Sequence, residues 1–340
     1  MVITDEIGVA QLALRQYDIG TEATLRLLNL SENATYLVDD AGAQSILRVH
    51  RQNYHRPHEI ESELDWLQAL QTDSDVEVPV VLPARDGRRV VTVDGAETGG
   101  IPRYVVHFGM VEGAEPDEER LTVADFHTLG RITAALHDHS RRWQRPATFA
   151  RFSWDWEHSL GANPRWGRWQ DAEGVGASET QLLGRAQDLL HQRLRAYGTG
   201  PEVYGLIHAD LRLANLLVDS GASGPSGSPG PSRVTVIDFD DCGSGWYFYD
   251  FGTAVSFIED DPALPEWQDA WVNGYRTRAD LPSSDEDMLA SFVLMRRLLL
   301  LAWMGTHSHS KESATKAISY AAGSCDLAER YLRTDGLSLT

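Results

Sequence analysis

Residues 207–215 read Ile-His-Ala-Asp-Leu-Arg-Leu-Ala-Asn, a polar segment with apolar residues directly before and after it. Within it, Asp210 follows His208 by two positions, and Asn215 follows Asp210 by five. The apolar flanks predict that this polar segment forms a loop between two β-type segments. Three fixed polar positions recur by chance, so the interpretation also depends on residues 236–240, which read Val-Ile-Asp-Phe-Asp. Together the two stretches decide which fold the sequence predicts.

These stretches carry the set of side chains that phosphoryl transfer needs. That chemistry uses one carboxylate to orient a hydroxyl nucleophile, and an amide with a second carboxylate to hold Mg²⁺ on nucleotide phosphates. Asp210 is therefore the candidate catalytic base. Asn215 and Asp238 are the candidate metal ligands, because Mg²⁺ prefers oxygen ligands and takes few from protein. We expect short strands at 216–218 and 234–237 to hold them. The alternative is a buried polar turn in an ordinary α/β domain.

The sequence resembles the aminoglycoside phosphotransferase superfamily, which shares the two-lobed protein-kinase-like fold. It is most similar to the homoserine-kinase-type and stress-response-kinase-like branch. The resemblance implies an α+β protein with a small β-rich N-lobe and a larger, mainly helical C-lobe. Besides the two stretches above, the residues that carry it are Ile46 to Arg51, Glu61 to Leu64, Leu129-Gly130, Leu136-His137, Asp241-Cys242-Gly243 and Tyr249-Asp250.

The resemblance implies that Arg48 binds the α- and β-phosphates of ATP. The kinase-like fold normally places a Lys on its third strand, paired with a Glu on the next helix. Here the aligned residue is Arg48, which is permanently charged and binds phosphate or carboxylate through two nitrogens. Glu63 is the expected partner, and the register makes Glu61 and Glu59 less suitable. The alternative is an ion pair exposed to solvent.

The phosphate-covering loop is expected at Ser31-Glu32-Asn33-Ala34, which lies between two β-type stretches. It lacks the glycines of a phosphate-binding loop, so the signal is weak. Ser31 and Asn33 are the candidate contacts with the nucleotide, through their side chains or through backbone N–H groups.

The histidines are interpreted as structural. In the resembling family, the counterpart of His208 braces the catalytic loop together with the residue at the position of Asp250. His137 and His139 are two apart, but no Cys or carboxylate spacing supports a zinc site around them.

Three residues are candidates for contacts with the acceptor substrate. Asp240 either binds an ammonium group or orients a turn, and both readings stay open. Trp246 and Trp303 could stack on a sugar or a cation. Aromatic residues of this size more often pack in a core or between lobes.

The hydrophobic pattern predicts two lobes, with a hinge at 109–113. Residues 1–112 form the predicted nucleotide-binding lobe, and residues 113–340 form the predicted catalytic and substrate-binding lobe. The predicted β segments are 23–30, 35–39, 45–50, 78–82, 89–93 and 103–108. The predicted helices are 7–17, 57–71, 123–139, 179–196, 289–304 and 314–332. Residues 220–232 are rich in Gly, Ser and Pro and are expected to form a flexible loop.

Composition narrows the classes of partner. The chain has 340 residues and a formal net charge of −20, from 30 Lys and Arg against 50 Asp and Glu. Nucleic-acid binding needs clustered basic residues, so this balance argues against it. It suits a cationic substrate, or simply an acidic, soluble surface. Two cysteines allow no disulfide framework. No signal peptide or membrane-length apolar run is evident, so we expect a cytoplasmic protein without a membrane partner.

The resemblance implies an ATP- and Mg²⁺-dependent kinase that moves the γ-phosphoryl group to a hydroxyl of a small molecule. The candidate acceptors are an amino sugar or aminoglycoside-type antibiotic, a hydroxy-amino acid, or an amino alcohol, and the acidic balance favours a cationic one. One alternative is a protein Ser/Thr kinase of the stress-response type. The other is a nucleotide-binding scaffold without catalytic activity. The presence of Asp210, Asn215 and Asp238 argues against a scaffold, whereas Arg48 and the glycine-free loop argue for it.

Overall fold

The computed structural model describes residues 6–30, 33–95, 98, 100–219, 233–306 and 311–339, without the side chains of 311–316. The chain forms two compact units, each assembled from three segments. The first unit comprises Met1–Ala114, Gln144–Arg151 and Leu217–Asp240. The second comprises Glu115–Trp143, Phe152–Leu216 and Asp241–Thr340. The predicted 220–232 loop lies outside the described residues.

A five-stranded antiparallel sheet dominates the first unit. Its strands are β1 Thr24–Leu30, β2 Ala34–Asp40, β3 Ala43–Val49, β4 Val90–Val93 and β5 Arg103–Gly109, and the helices are α1 Glu6–Leu14 and α2 Pro57–Asp73. The strands lie in the order β1-β2-β3-β5-β4. The tightest connection joins β2 to β3 through Ala41 and Gly42, whose φ angles are 52° and 93°. Two consecutive positive φ angles match the right-handed twist of a two-residue hairpin.

The core of the first unit lies between α1 and the sheet. Helix α1 buries Val9, Ala10 and Ala13 at helical spacing. They meet inward-facing residues of the strands, such as Val38 and Leu47, which are fully buried. Burying an aliphatic side chain of this kind stabilises a fold by about 1.5–3 kcal/mol. This packing fixes β3, the strand that carries Arg48.

The predicted strand at 78–82 is wrong as a continuous strand. The segment forms one isolated bridge instead, between Val81 and Phe108, and Glu77 just before it forms another with Thr235. Pro79 lies inside the segment and Pro83 follows it directly. Because proline has no N–H to donate, it interrupts a regular ladder of hydrogen bonds.

The second unit is mainly helical, and the predicted helices at 123–139, 179–196, 289–304 and 314–332 are confirmed. Among the described residues, four helices were not predicted from the sequence: three short ones and one of 13 residues. The helices are α3 Val123–Arg142, α4 Trp156–Ser159, α5 Ala177–Tyr197, α6 Tyr249–Ala254, α7 Leu264–Arg276, α8 Ser283–Glu286, α9 Leu289–Thr306 and α10 Lys311–Arg333. Strand β6 Tyr204–Ile207 pairs antiparallel with β9 Gly243–Trp246. The two expected strands, β7 Leu216–Asp219 and β8 Arg233–Val236, pair with each other, and apart from Leu216 they belong to the first unit.

Glycines let two pairs of helices approach closely in the second unit. A Cβ on Gly130 of α3 would lie 2.0 Å from the carbonyl oxygen of Trp271 on α7. A Cβ on Gly252 of α6 would lie 2.5 Å from the carbonyl oxygen of Phe292 on α9. Real Cβ atoms do not approach so closely, so both positions require glycine. The second contact sets the distance between α6 and α9, two helices that carry functional candidates described below.

Helix α9 is the central helix of the second unit. Together with α8 it forms one apolar stretch, Ser283–Thr306, that is long and apolar enough to cross a membrane by length and composition. The sequence analysis expected no apolar run of that length. However, 89% of the most apolar 18-residue window of this stretch is buried inside the structure, as in the core helix of a globular unit. Two adjacent arginines, Arg296 and Arg297, are buried within it.

Candidate active site

The predicted catalytic loop lies in the second unit, between β6 and a short 3₁₀ turn at Leu213–Asn215. Its backbone is strained at Ala209, where φ is 64°. A left-handed conformation of a non-glycine residue costs about 1 kcal/mol. The Ala209 N–H donates to Oδ1 of Asp250 at 2.7 Å, and the His208 N–H donates to Oδ2 at 3.2 Å. A buried carboxylate at the start of α6 therefore holds the loop in its strained shape.

Further hydrogen bonds tie the loop to α6 and to itself. The Leu211 N–H donates to Oγ1 of Thr253 at 2.8 Å, and that hydroxyl donates to the carbonyl of Asp250 at 2.9 Å. The Asp210 N–H donates to Nδ1 of His208 at 3.2 Å. The structure thus brings His208 and Asp250 together at the base of the loop.

His137 of α3 completes the support of Asp250 and was not assigned this role from the sequence. Its Nε2 lies 3.1 Å from Oδ2 of Asp250, and its Nδ1 lies 3.1 Å from the hydroxyl of Tyr275. Burial lowers the pKa of His137. Burial also raises the pKa of Tyr275 to about 12. We therefore assign a neutral ring that donates from Nε2 to the carboxylate and accepts from tyrosine at Nδ1.

The carboxylate of Asp210 is held by three neighbours. Nδ2 of Asn215 donates to its Oδ2 at 2.7 Å and to its carbonyl at 2.8 Å. Nη2 of Arg296 donates to its Oδ1 at 2.5 Å. Nε of Arg212 lies 3.8 Å from Oδ2. The side chain of Asp210 is therefore oriented, and the amide of Asn215 keeps its Oδ1 as an oxygen ligand.

Arg296 is a site residue that the sequence reasoning missed. Its side chain is only 2% exposed, its Nε donates to Oγ of Ser256 at 2.9 Å, and its guanidinium lies 5.3 Å from the ring centre of Trp166. Burial disfavours the charged form, but the neighbouring Tyr249, Asp210 and Asp241 outweigh it and raise the pKa of Arg296. The guanidinium is therefore a fixed positive charge beside the predicted base. The only signal of this residue in the sequence was the pair Arg296-Arg297 within an otherwise apolar helix.

In the first unit, the structure brings Arg48 and Glu63 together. Nη2 of Arg48, on β3, lies 2.7 Å from Oε1 and 2.8 Å from Oε2 of Glu63, on α2. Nη1 of Arg48 lies 3.5 Å from Oδ1 of Asp238. Burial works against the charged arginine, but Glu63, Asp240 and Asp238 outweigh it and raise the pKa of Arg48. This is a buried ion pair between a strand and a helix, with the carboxylate of Asp238 beside it.

The two other glutamates considered as partners have different contacts. Oε2 of Glu61 lies 2.6 Å from Nη2 of Arg89, a nitrogen that also lies 2.7 Å from Asp65. The side chain of Glu59 accepts the N–H of Arg56 at 2.7 Å, as part of the N-terminal capping box of α2. Only Glu63 of the three faces Arg48.

Asp238 and Asp240 lie in very different surroundings at the end of β8. Asp238 has a φ of 60°, and its side chain is 48% exposed. Asp240 is buried, with Oδ1 3.3 Å from Nδ1 of His50 and Oδ2 3.4 Å from Nε2 of His55. Burial alone would raise the pKa of Asp240, but His55, His50 and Arg48 hold it well below its ordinary value. Its contacts in this unit are those of an anchored carboxylate, and a contact with an ammonium group stays a prediction.

The structure says less about the roles of the remaining predicted site residues. Asn33 is buried and accepts the N–H of Arg51 at 2.9 Å through Oδ1. Ser31 lies outside the described residues. Trp246 is 3% exposed and donates its indole N–H to a backbone carbonyl at 2.7 Å, and Trp303 is half-buried on α9. The contacts of Trp246 are packing contacts, and the predicted roles of these residues stay predictions.

The donor set suits a hard divalent cation. Asn215 offers an amide oxygen, and Asp238 offers an accessible carboxylate. Among the residues that the structure describes, no three side chains of His, Cys, Asp or Glu come together as a metal site. Mg²⁺ keeps several waters and uses one or two protein oxygens together with substrate phosphates, so each of these oxygens by itself is a type of ligand that suits the ion, and the role of the two residues as metal ligands stays a prediction.

The fold and the oriented Asp210 loop define a kinase-like phosphotransferase. Residues 24–286 match the family model described as "Phosphotransferase enzyme family". The match covers most of the chain, which therefore belongs to this family. The predicted superfamily is confirmed, as is the prediction of an enzyme that phosphorylates a hydroxyl group.

Two curated proteins are similar to this chain at less than 30% identity. The amicoumacin kinase of Bacillus subtilis (strain 168) is 24% identical over 287 residues, which cover 81% of this chain and 78% of that protein. An uncharacterized protein of Deinococcus radiodurans is 29% identical over 302 residues, which cover 87% of this chain and 81% of that protein.

Solved structures include one of high similarity. The structure of a microcompartment-associated aminopropanol kinase is 73% identical, with a TM-score of 0.89, and the match covers 98% of this chain and 100% of that one. An amicoumacin kinase, hAmiN, in complex with AMP-PNP, Ca²⁺ and Ami is 21% identical, with a TM-score of 0.75 and coverage of 95% and 93%. The second match shows the fold alone. The predicted α+β, protein-kinase-like fold is confirmed.

Proposed function

We propose that this protein is an ATP- and Mg²⁺-dependent kinase of a small amino alcohol of the aminopropanol class. The observation that carries the proposal is the 73% identity to an aminopropanol kinase, over 98% of this chain and the whole of the other. Amino alcohols were among the acceptors that the sequence analysis left open. A small cationic acceptor also agrees with the formal net charge of −20.

Five of the predicted site residues have a role in the proposed reaction. Asp210 accepts a hydrogen bond from the acceptor hydroxyl and takes its proton as the oxygen bonds to the γ-phosphorus. The bond from that phosphorus to the β,γ-bridging oxygen breaks, and ADP leaves with its electron pair. Arg48, held by Glu63, binds the α- and β-phosphates. Asn215 and Asp238 hold Mg²⁺, which neutralises the charge of the phosphates when it is bound.

The same proposal gives a role to each of the two predicted lobes. Residues 1–112 supply the nucleotide contacts, and residues 113–340 supply the base and the acceptor contacts. The protein acts in the cytoplasm on a small molecule, with neither nucleic acid nor a membrane as a partner.

The test is ADP release from Mg·ATP by the purified protein, with Asp210→Ala as the blank. The acceptors are the positional isomers of aminopropanol, a hydroxy-amino acid, an aminoglycoside, amicoumacin and a generic protein substrate. We expect turnover above the blank with an aminopropanol isomer. Turnover with amicoumacin or an aminoglycoside alone would make the protein an antibiotic kinase. Phosphorylation of protein alone would support the stress-response alternative.

A further inference from the structure

An amino alcohol presents a carboxylate base with a choice between two groups. Its ammonium end makes charge-assisted hydrogen bonds, which are about twice as strong as those of its neutral hydroxyl end. An isolated carboxylate therefore prefers the ammonium group. At the position of Asp210 that preference would place nitrogen where the reacting oxygen must lie.

The structure places a positive charge beside Asp210 that opposes binding of the ammonium group. Nη2 of Arg296 lies 2.5 Å from Oδ1 of Asp210, and Nε of Arg212 lies 3.8 Å from Oδ2. The Arg296 guanidinium compensates the negative charge of the carboxylate. It also repels any second cation that approaches Asp210 at short range.

The same guanidinium has a second neighbour, Tyr249. Nη1 of Arg296 is buried, and Tyr249 is one of the groups that favour the charged guanidinium. A hydroxyl oxygen has lone pairs that can accept an N–H, whereas an ammonium group has none. An acceptor hydroxyl at Asp210 can therefore tolerate the nearby guanidinium, whereas an ammonium group meets a like charge there.

Arg296 is also built into the fold. Its Nε donates to Ser256, its guanidinium packs over Trp166, and its side chain is almost completely buried. Helix α9, which carries it, is held against α6 by the close approach at Gly252. The guanidinium is therefore fixed in place rather than mobile.

We propose that Arg296 is a positioning residue that sets the orientation of the acceptor. Its guanidinium makes Asp210 select the hydroxyl end of an amino alcohol and reject the ammonium end. The proposal rests on the proposed function for its substrate, but the preference of Asp210 can be measured without any turnover.

The test is calorimetric binding of propylamine, an ammonium probe without a hydroxyl, to the wild type and to Arg296→Met. We expect at least about a tenfold gain in propylamine affinity in Arg296→Met, since one desolvated charge contact is worth a factor of this size or more. The double variant Arg296→Met/Asp210→Asn should lose that gain, because the exposed carboxylate is what binds the probe. Equal affinity in the wild type and Arg296→Met overturns the proposal.

Kinetics provide the second readout. In Arg296→Met, kcat for aminopropanol should fall about 100-fold, as expected when a reacting group is misplaced. Turnover of a propanediol, which has a hydroxyl in place of the amine, should fall less, and Arg296→Lys should restore much of the difference. Equal losses for both acceptors would indicate a merely structural role and overturn the proposal.

Arg297→Met is the matched control. Arg297 is buried on the same helix, but it binds Glu259 and Ser324 and does not contact Asp210. Its loss should lower stability without increasing propylamine binding. If Arg296→Met does not fold, Arg296→Gln removes the same charge and serves in its place. The protein could bind propylamine more tightly after the loss of Arg296 and still show no turnover of aminopropanol. That result would uphold this inference and refute only the proposed acceptor.

Discussion

A single guanidinium nitrogen of Arg48, Nη2, contacts both carboxylate oxygens of Glu63, at 2.7 Å from Oε1 and 2.8 Å from Oε2. The two residues are 15 positions apart, and Glu63 is completely buried. Arg48→Ala should therefore destabilise the protein by about 3–5 kcal/mol, because it leaves a buried charge without its partner. It should also weaken Mg·ATP binding about tenfold or more, by loss of a phosphate contact. Urea unfolding and calorimetry with AMP-PNP measure the two effects.

Arg89→Ala is the control for this prediction, because Arg89 also joins the sheet to α2. Its pairs with Glu61 and Asp65 are partly exposed. Exposed ion pairs contribute about 0–1 kcal/mol, so this variant should lose little stability and keep its affinity for nucleotide. Unchanged ATP affinity in Arg48→Ala would remove Arg48 from the phosphate site.

Asp210→Ala should reduce turnover about 1,000-fold, the contribution typical of a positioned general base. Affinity for AMP-PNP should survive, because Asp210 is proposed to contact the acceptor rather than the nucleotide. Single-turnover kinetics at saturating ATP measure the first effect, and calorimetry measures the second. The control is Asp138→Ala, which breaks an exposed pair with Arg142 in the same unit. Turnover that is retained in Asp210→Ala would remove this residue as the base.

Thr253→Val should damage the catalytic loop without touching the reacting groups. The hydroxyl of Thr253 accepts the N–H of Leu211 at 2.8 Å, and valine leaves that buried N–H unsatisfied at a cost of about 1–3 kcal/mol. We expect lower stability in urea and a lower kcat, with nucleotide affinity unchanged. Thr128→Val is the control, since the hydroxyl of Thr128 bonds within an exposed part of α3. Equal kcat values for the two variants would show that the loop does not depend on α6.

Much of the fold could be predicted because its signals are local. Strands and helices follow from periodicity over a few residues, and the loop from His208 to Asn215 is one continuous segment. The predicted strand at 78–82 is wrong because the pattern of apolar residues was given more weight than its prolines. A proline acts through the hydrogen bond it cannot donate, and hydropathy does not register that loss.

The supports of the site could not be predicted, because they come from distant parts of the chain. Arg296 lies 86 positions from Asp210, and His137 lies 113 positions from Asp250. Neither stands in a motif that specifies its partner. Arg296 also interrupts an apolar helix whose pattern indicates only burial. Only the packing of α9 against α6 shows that the carboxylate in contact with Arg296 is that of Asp210.

The stability of the protein should fall in mild acid, in part through His107. Its ring is buried on β5, with Nε2 2.7 Å from Oγ of Ser45 and its edge against Tyr17. Burial lowers the pKa of His107 from 6.5 to about 4. Between those values the unfolded chain binds a proton that the folded protein does not, so the free energy of unfolding rises with pH across this window. Lowering the pH from 7 to 5 should cost about 2 kcal/mol through this residue.

Urea unfolding of the wild type and of His107→Gln at these two pH values isolates the effect. Glutamine can keep a hydrogen bond to Ser45 but does not titrate, so His107→Gln should lose about 2 kcal/mol less than the wild type on acidification. Other buried histidines titrate in both proteins, and their contribution cancels in the difference. His158→Gln is the control, because His158 is exposed beside Asp155. A pH dependence that is the same in His107→Gln and the wild type would mean that the folded protein accommodates a charged His107.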